Sequence, residues 1–390
     1  MKYFDYAATT PIDKRVLKEM LPYLKEKYGN PSSVHSRGQK AKEGIDKARE
    51  QIAKFLNCKE QAITFTGSAT EADNLALKGI IKATEQKKTH IITTEIEHSA
   101  ILKTCKFLEK DLPAGRQGGI EITYLPVDKN GLVKLSDITD AIQDNTVLVS
   151  IIYANNEIGT IEPIKEIGSY LKSLEGVYFH TDAVQAVNYL DCDVKKLGVD
   201  LMTISAHKIY GPKGVGALYI NQEIPIEPII TGGGQEFGLR SGTENVPGIV
   251  GFGKAIEIIT KNQKEEKRRI KKMRDNIIEK VLNEIPNVKL NGPKENRLAN
   301  NINFTFKNID GEGAVIALDQ KGIAISTGSA CSAKNLKASH VLKEIGLSNI
   351  EAHGSIRITL GRFNKEEDVA YLLKNLKSTV EKLRKISSSI

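Results

Sequence analysis

Between residues 62 and 220, short apolar runs alternate with segments of helical period, and few architectures accept that rhythm. Strands are expected at 62–65, 90–94, 120–125, 146–152, 177–180, 201–205 and 215–220. Helices are expected from the small-residue turn at 67–72 toward 84, and at 99–108, 136–142 and 164–174. Runs such as 146–152 are apolar throughout rather than alternating. That marks strands buried on both faces, hence an α/β fold whose mainly parallel sheet is covered by helices. In such sheets ligands collect beyond the carboxyl ends of the strands.

The flanks read differently. Residues 3–11 form an extended arm ending at Pro11, and Asp13 is a plausible N-cap for a helix reaching about residue 28. A loop at 29–33 leads to a second amphipathic helix at 39–56. Residues 247–285 read as one long helix that carries the chain out of the first domain. Beyond it come strand 301–306, helix 313–320, strand 323–326, loop 327–338, helix 339–345, strand 355–360 and closing helix 365–383, a smaller α+β unit. The expected division is a large domain at 13–258 and a small one made of 1–12 and 259–390, the latter carrying the 327–338 loop. The Gly-rich stretch 111–119 is aperiodic and is expected to be an exposed insertion.

A chain of 390 residues with 40% hydrophobic and 27% charged composition is an ordinary globular protein with a sizeable core. No run approaches the roughly 18 apolar residues of a membrane helix. The first residues lack a signal-peptide pattern, so a cytoplasmic location is the expectation. Four cysteines, Cys58, Cys105, Cys192 and Cys331, show neither C-x-x-C nor zinc-like spacing, and no metal site is expected. The net charge of +8 owes much to the basic run 261–274. Glutamates interleave there and aromatics are absent, as on the solvated face of a helix, so direct nucleic-acid binding is not expected.

Polar residues fall where the strands end. His98 follows strand 90–94, Asn155-Asn156-Glu157 follows 146–152, Asp182 and Gln185 follow 177–180, and His207 and Lys208 follow 201–205. Each has an ordinary explanation: an Asn pair makes a turn, an Asp after a strand caps a helix, and a strand-end lysine snorkels to water. One sheet, however, brings all of these strand ends to a single edge. A lysine delivered by a buried strand is suited to imine chemistry, because burial lowers its pKa. A pyridoxal phosphate site needs such a lysine, a carboxylate for the pyridine nitrogen, a flat group against the ring, and a helix start for the phosphate. Gly67-Ser68-Ala69-Thr70 supplies the helix start.

The motifs Gly-Ser-Ala-Thr-Glu (67–71), Glu-His-Ser-Ala (97–100), Asn-Asn-Glu-Ile-Gly (155–159), His-Thr-Asp-Ala-Val-Gln (180–185), Ser-Ala-His-Lys-Ile-Tyr-Gly-Pro-Lys-Gly (205–214), Arg-Ser-Gly-Thr-Glu-Asn (240–245) and Gly-Ser-Ala-Cys-Ser (328–332) closely resemble the cysteine desulfurases. These are pyridoxal-phosphate enzymes of the class V aminotransferase superfamily. The resemblance runs from Tyr3 to about Leu383, with the motifs in the family's order, and implies a fold-type-I transferase and a homodimer. It implies Lys208 as the imine lysine, His98 as the ring-stacking residue that moves protons, Asp182 at the pyridine nitrogen and Gln185 at the ring hydroxyl. Asn156 falls near the ring hydroxyl and substrate. Ala69, Thr70, Ser205 and His207 match phosphate ligands, and Thr243 matches one reaching across from the partner subunit. Arg357 matches the residue that clamps the substrate carboxylate.

Cys331 narrows the chemistry. An inert small residue is the ordinary reading of a loop cysteine, but Gly328, Ser329 and Ala330 give it a flexible tether. With the ring as electron sink, loss of the L-cysteine α-proton to Lys208 makes the Cβ–Sγ bond labile. A Cys331 thiolate can then take the sulfur as a persulfide and release alanine. Cys58, Cys105 and Cys192 lie in or beside packed segments and read as structural. The longer Ser-Ala-Cys loop resembles the branch that hands sulfur to a scaffold or carrier, for iron–sulfur clusters or tRNA thiolation. Two features depart from the pattern: the short end at Ile390 and the 111–119 insertion. A selenocysteine lyase or another fold-type-I enzyme, and a non-catalytic sulfur-assembly platform, are the competing readings.

Overall fold

The computed structural model describes residues 1–84, 88–110, 119–327 and 338–387. Cys331 and most of the 111–119 stretch lie outside them.

The arm contributes β1 (Lys2–Tyr3), followed by α1 (Lys14–Lys25) and α2 (Ser36–Leu56). Asp13 caps α1, accepting the Arg15 N–H. From β2 (Ile63–Thr66) the alternation begins: α3 (Ala69–Ala83), β3 (Thr89–Thr94), α4 (Ser99–Lys110), β4 (Ile120–Leu125), α5 (Leu135–Ala141), β5 (Thr146–Ser150), α6 (Ile164–Leu171), β6 (Tyr178–Asp182), α7 (Val194–Leu197), β7 (Leu201–Ser205) and β8 (Gly216–Ile220). The 39-residue α8 (Val246–Glu284) leads to β9 (Val288–Leu290), β10 (Asn301–Phe306), α9 (Gly311–Asp319), β11 (Ile323–Ala324), α10 (His340–Glu344), α11 (Asn349–His353), β12 (Ser355–Thr359) and α12 (Glu366–Ser387).

Among the described residues the main sheet runs β2-β8-β7-β6-β5-β3-β4. Every pair is parallel except those of β8, which runs against both neighbours. Strands β3, β5, β7 and β8 are buried along their whole length. One core cluster includes Ile92, Val149, Phe179 and Met202 and continues into α8; another, with Ile91, Leu148 and Leu201, packs under α3 and α4. The order β7-β6-β5-β3 places the carboxyl ends that bear Lys208, Asp182, Asn156 and His98 side by side.

A second sheet, β12-β10-β9, is antiparallel. The N-terminal arm joins this end of the molecule: β1 and β11 form a separate parallel pair, and Asp5 bridges to Thr359 of β12. The amino-terminal half of α8 rests on α1 and α2, where Gly251 and Gly253 allow Met20 and Ala48 to approach its backbone. Further along, Arg274 donates to the Arg297 and Leu298 carbonyls ahead of β10.

Candidate active site

A cavity of about 470 Å³ opens at these strand ends, bordered by Thr70, His98, Asn156, Asp182, Lys208 and Arg357, among others. The lysine arrives on a tight turn. β7 ends at Ser205, Ala206–Lys208 makes one 3₁₀ turn, and Tyr210 takes a left-handed φ of 66°. A tyrosine held there stores strain, on the order of 1 kcal/mol or more. It is retained because the buried Tyr210 ring lies under the Arg362 guanidinium while its hydroxyl accepts the Arg362 N–H at 2.6 Å. Lys208 Nζ donates to the Ala7 and Ala8 carbonyls at 2.6 and 2.7 Å, so the arm forms one wall of the site.

Asp182 is the last residue of β6 rather than the first after it, which holds its carboxylate at a fixed register. Its Oδ1 accepts the Val184 N–H at 2.9 Å. Burial pushes the carboxyl up, and His98, the Val184 N–H and Lys208 pull it back. His98 stands just ahead of α4, where Nδ1 accepts the Ala100 N–H at 3.2 Å, so a neutral ring keeps its proton on Nε2. Gln185 Nε2 donates to the Ala7 carbonyl at 3.0 Å. His207 Nδ1 lies 3.1 Å from Thr9 Oγ1, and burial, with Lys208 adding to it, brings that imidazole down to about 4.

At another border of the cavity, α3 begins. Ser68 caps it by accepting the Glu71 N–H, and Ala69 and Thr70 form its first turn. A helix start collects unsatisfied N–H groups and partial positive charge, which suits an anion. Gly216 on β8 permits this placement: a Cβ there would come within 2.7 Å of the Ser68 carbonyl carbon. Arg357 on β12 is 2% exposed, bonds Asp5 Oδ1 at 2.8 Å and donates to the Asn156 carbonyl at 3.1 Å. The arrangement offers an amine, a proton-carrying imidazole, a buried carboxylate, an anion cradle and a guanidinium around one space.

The class-V aminotransferase family model matches residues 2–372. The chain belongs to that family. Within it, the cysteine desulfurase IscS of Clostridium botulinum is 51% identical over 387 residues, covering 99% of this chain and 96% of the relative. The IscS of Methanosarcina thermophila is 50% identical over 385 residues, covering 99% and 93%. A solved NifS-like protein matches with a TM-score of 0.90 at 40% identity, over 98% of this chain and 100% of that one. A structure described as SspA in complex with cysteine matches with a TM-score of 0.80 at 39% identity, over 92% and 99%. At such identity and coverage the chain is a cysteine desulfurase of the class-V family, on an α/β fold of type I.

Not every residue expected at the site borders this cavity. Ala69, Thr70, His98, Asn156, Asp182, Gln185, His207, Lys208 and Arg357 do. Ser205 is buried at the end of β7, outside the lining. Thr243 lines a separate groove of about 120 Å³ with Gly67, Arg240 and Glu244. The structure adds residues that the sequence reading passed over: Asp5, the Ala7 and Ala8 carbonyls, Asp73, Glu97 and His340. The small-residue run Ala7-Ala8-Thr9-Thr10 beside an acid was the available signal for the arm. Asp73 gave none, since a carboxylate inside an amphipathic helix ordinarily faces water. Of the remaining cysteines, Cys105 and Cys192 are buried and Cys58 is half-buried; burial raises all three thiols, Cys58 to about 12.

Proposed function

We propose that the chain binds pyridoxal phosphate in this cavity and converts L-cysteine to L-alanine, moving the sulfur onto Cys331 as a persulfide. The convergence of Lys208, Asp182, His98 and Arg357 on one cavity carries the reading. The residues fit the cofactor: Asp182 is a buried acid that an N–H⁺ partner would stabilise, and the α3 start suits a phosphate. When bound, pyridoxal phosphate supplies an electron sink for negative charge at the substrate α-carbon.

In this reading Lys208 would hold the cofactor through Nζ and take the substrate α-proton. Asp182 would hold the ring nitrogen in its charged form, Gln185 and Asn156 would serve the ring hydroxyl, and His98 would be the ring-side group that returns protons. Ala69, Thr70, Ser205 and His207 would hold the phosphate, and Thr243 would serve the site of a second copy in a homodimer. Arg357 grips the substrate carboxylate with its fork. The Cys331 thiolate attacks Sγ; the Cβ–Sγ bond breaks, an S–S bond forms, and the substrate carbon takes a proton to leave as alanine. The reaction is redox-balanced within cysteine and Cys331. A sulfur-acceptor protein then takes the persulfide, for cluster assembly or tRNA thiolation. The large unit at 13–258 supplies the cofactor residues in this scheme, and 1–12 with 259–390 supply Arg357 and Cys331.

The test is to load the protein with pyridoxal phosphate, record its visible absorbance, and follow alanine and protein-bound persulfide from L-cysteine. Cys331→Ala is expected to keep the colour and lose the persulfide. Persulfide formation at the parent rate in that variant would sink the assignment.

A further inference from the structure

Asp73 sits just inside the first turns of α3, 1% exposed, at the border of the cavity that also receives Asp182. Both of its carboxyl oxygens are buried without a hydrogen bond of ordinary geometry, and the Thr203 hydroxyl is the group that bears on them, an arrangement native proteins rarely leave unused. Its neighbour is His180, two residues before Asp182 on β6 and so on the same face of the sheet. His180 Nδ1 lies 2.9 Å from Ser150 Oγ, and Nε2 lies 3.1 Å from Thr203 Oγ1 and 3.8 Å from Asp73 Oδ1. Thr203 is also the residue paired with Asp182 across β6 and β7. A polar chain, Ser150–His180–Thr203, therefore runs behind Asp182 and reaches Asp73.

The charges around these groups differ. His180 is fully buried and its imidazole is brought down to about 3, so it offers Asp73 no cation. Burial, then the charge of Asp182, push the Asp73 carboxyl well above the usual range; the Thr203 hydroxyl pulls it partly back, and Glu97 adds to the rise. Burial raises Asp182 as well, but there His98, the Val184 N–H and Lys208 pull it back toward its ionised form. Two carboxyls in one site with environments that separate them assign one as acid and one as anion.

We propose that Asp73 is a positioning residue of the cofactor end of the cavity: a neutral carboxylic acid whose O–H serves the wall formed with His180 and Thr203, leaving Asp182 as the carboxylate charge there. The inference rests on the reading that the cavity holds pyridoxal phosphate. A second anion at this place would spread the ring nitrogen's interaction over two carboxylates; a neutral donor keeps it on Asp182 alone.

The experiment compares apoprotein variants Asp73→Asn and Asp73→Leu with the parent. The readouts are the dissociation constant for pyridoxal phosphate and the pH midpoint of the bound cofactor's visible band. Asn is isosteric, neutral and a donor, so affinity is expected within about threefold of the parent and the midpoint unmoved. Leu removes the donor, and affinity is expected to fall about tenfold, the scale of one lost hydrogen bond, with a displaced midpoint. Should Asp73→Leu fail to fold, Asp73→Ala carries the same readout. The proposal is overturned if Asn weakens binding as much as Leu, since a charge was then required. It is equally overturned if the Leu or Ala variant matches the parent in both measurements. A parent protein that does not bind pyridoxal phosphate overturns the cofactor reading itself.

Discussion

Arg357 carries two duties with one guanidinium. It is pinned by Asp5 at 2.8 Å and the Asn156 carbonyl at 3.1 Å, yet it borders the cavity. The planar fork allows this, since its five N–H donors point in fixed directions around one guanidinium. Arg357→Lys keeps the charge and loses the fork. The expected outcome is a KM for L-cysteine raised about ten- to a hundredfold, the scale of a lost charge-assisted hydrogen bond, with a smaller change in kcat. Steady-state kinetics check it, and an unaltered KM would remove Arg357 from substrate binding.

At the scale of elements, the strand-end loops are set by local chemistry as much as by the sheet. The 155–159 turn is closed by Asn155 Oδ1, which accepts the Glu157 and Ile158 N–H groups, and by the bridge between Ala154 and Ile161. Glu162, just before α6, is 2% exposed; Oε2 accepts the Val133 N–H, while Oε1 is buried without a partner. Burial pushes this carboxyl up to about 8. The folded protein thus holds a proton that the unfolded chain releases above about 4.5, and stability is lost as pH rises from there through about 8. Glu162→Gln removes that penalty. Its melting temperature is expected to match the parent's near pH 5 and to exceed it progressively toward pH 8, by up to a few kcal/mol in stability. Melting curves at the two pH values decide it; an advantage equal at both would show that titration of Glu162 is not the cause.

Over the whole molecule, the arm joins what the chain separates. Residues 2–10 pair with β11, bridge to β12 and deliver two carbonyls to Lys208, about two hundred positions along. Thr359 on β12 secures the arm: its Oγ1 accepts the Ala7 N–H at 3.0 Å. Thr359→Val keeps the shape and strands that N–H in a buried site, which costs about 1–3 kcal/mol. A lower denaturant midpoint at unchanged m-value is the expected result. Because the Ala7 carbonyl moves with the arm, the affinity for pyridoxal phosphate is expected to fall in the same variant; full stability would show that the arm is held elsewhere.

The sequence by itself determined the alternation of strands and helices, the limits of β4, β7 and β10, and the placing of His98, Asn156, Asp182 and Lys208 at strand ends. These follow from periodicity and from side chains close in the chain, which local spacing records. It missed β9, α7 and α11, each five residues or fewer, too short to show a period. Only the tertiary structure decided that β7, β6, β5 and β3 are neighbours, that β8 runs backwards, and that the arm walls the cavity. Strand order and the meeting of Asp73 with His180 depend on contacts a hundred residues apart, which packing fixes and spacing does not. Lys208 was legible as a lysine at the end of a buried strand; what surrounds it was not.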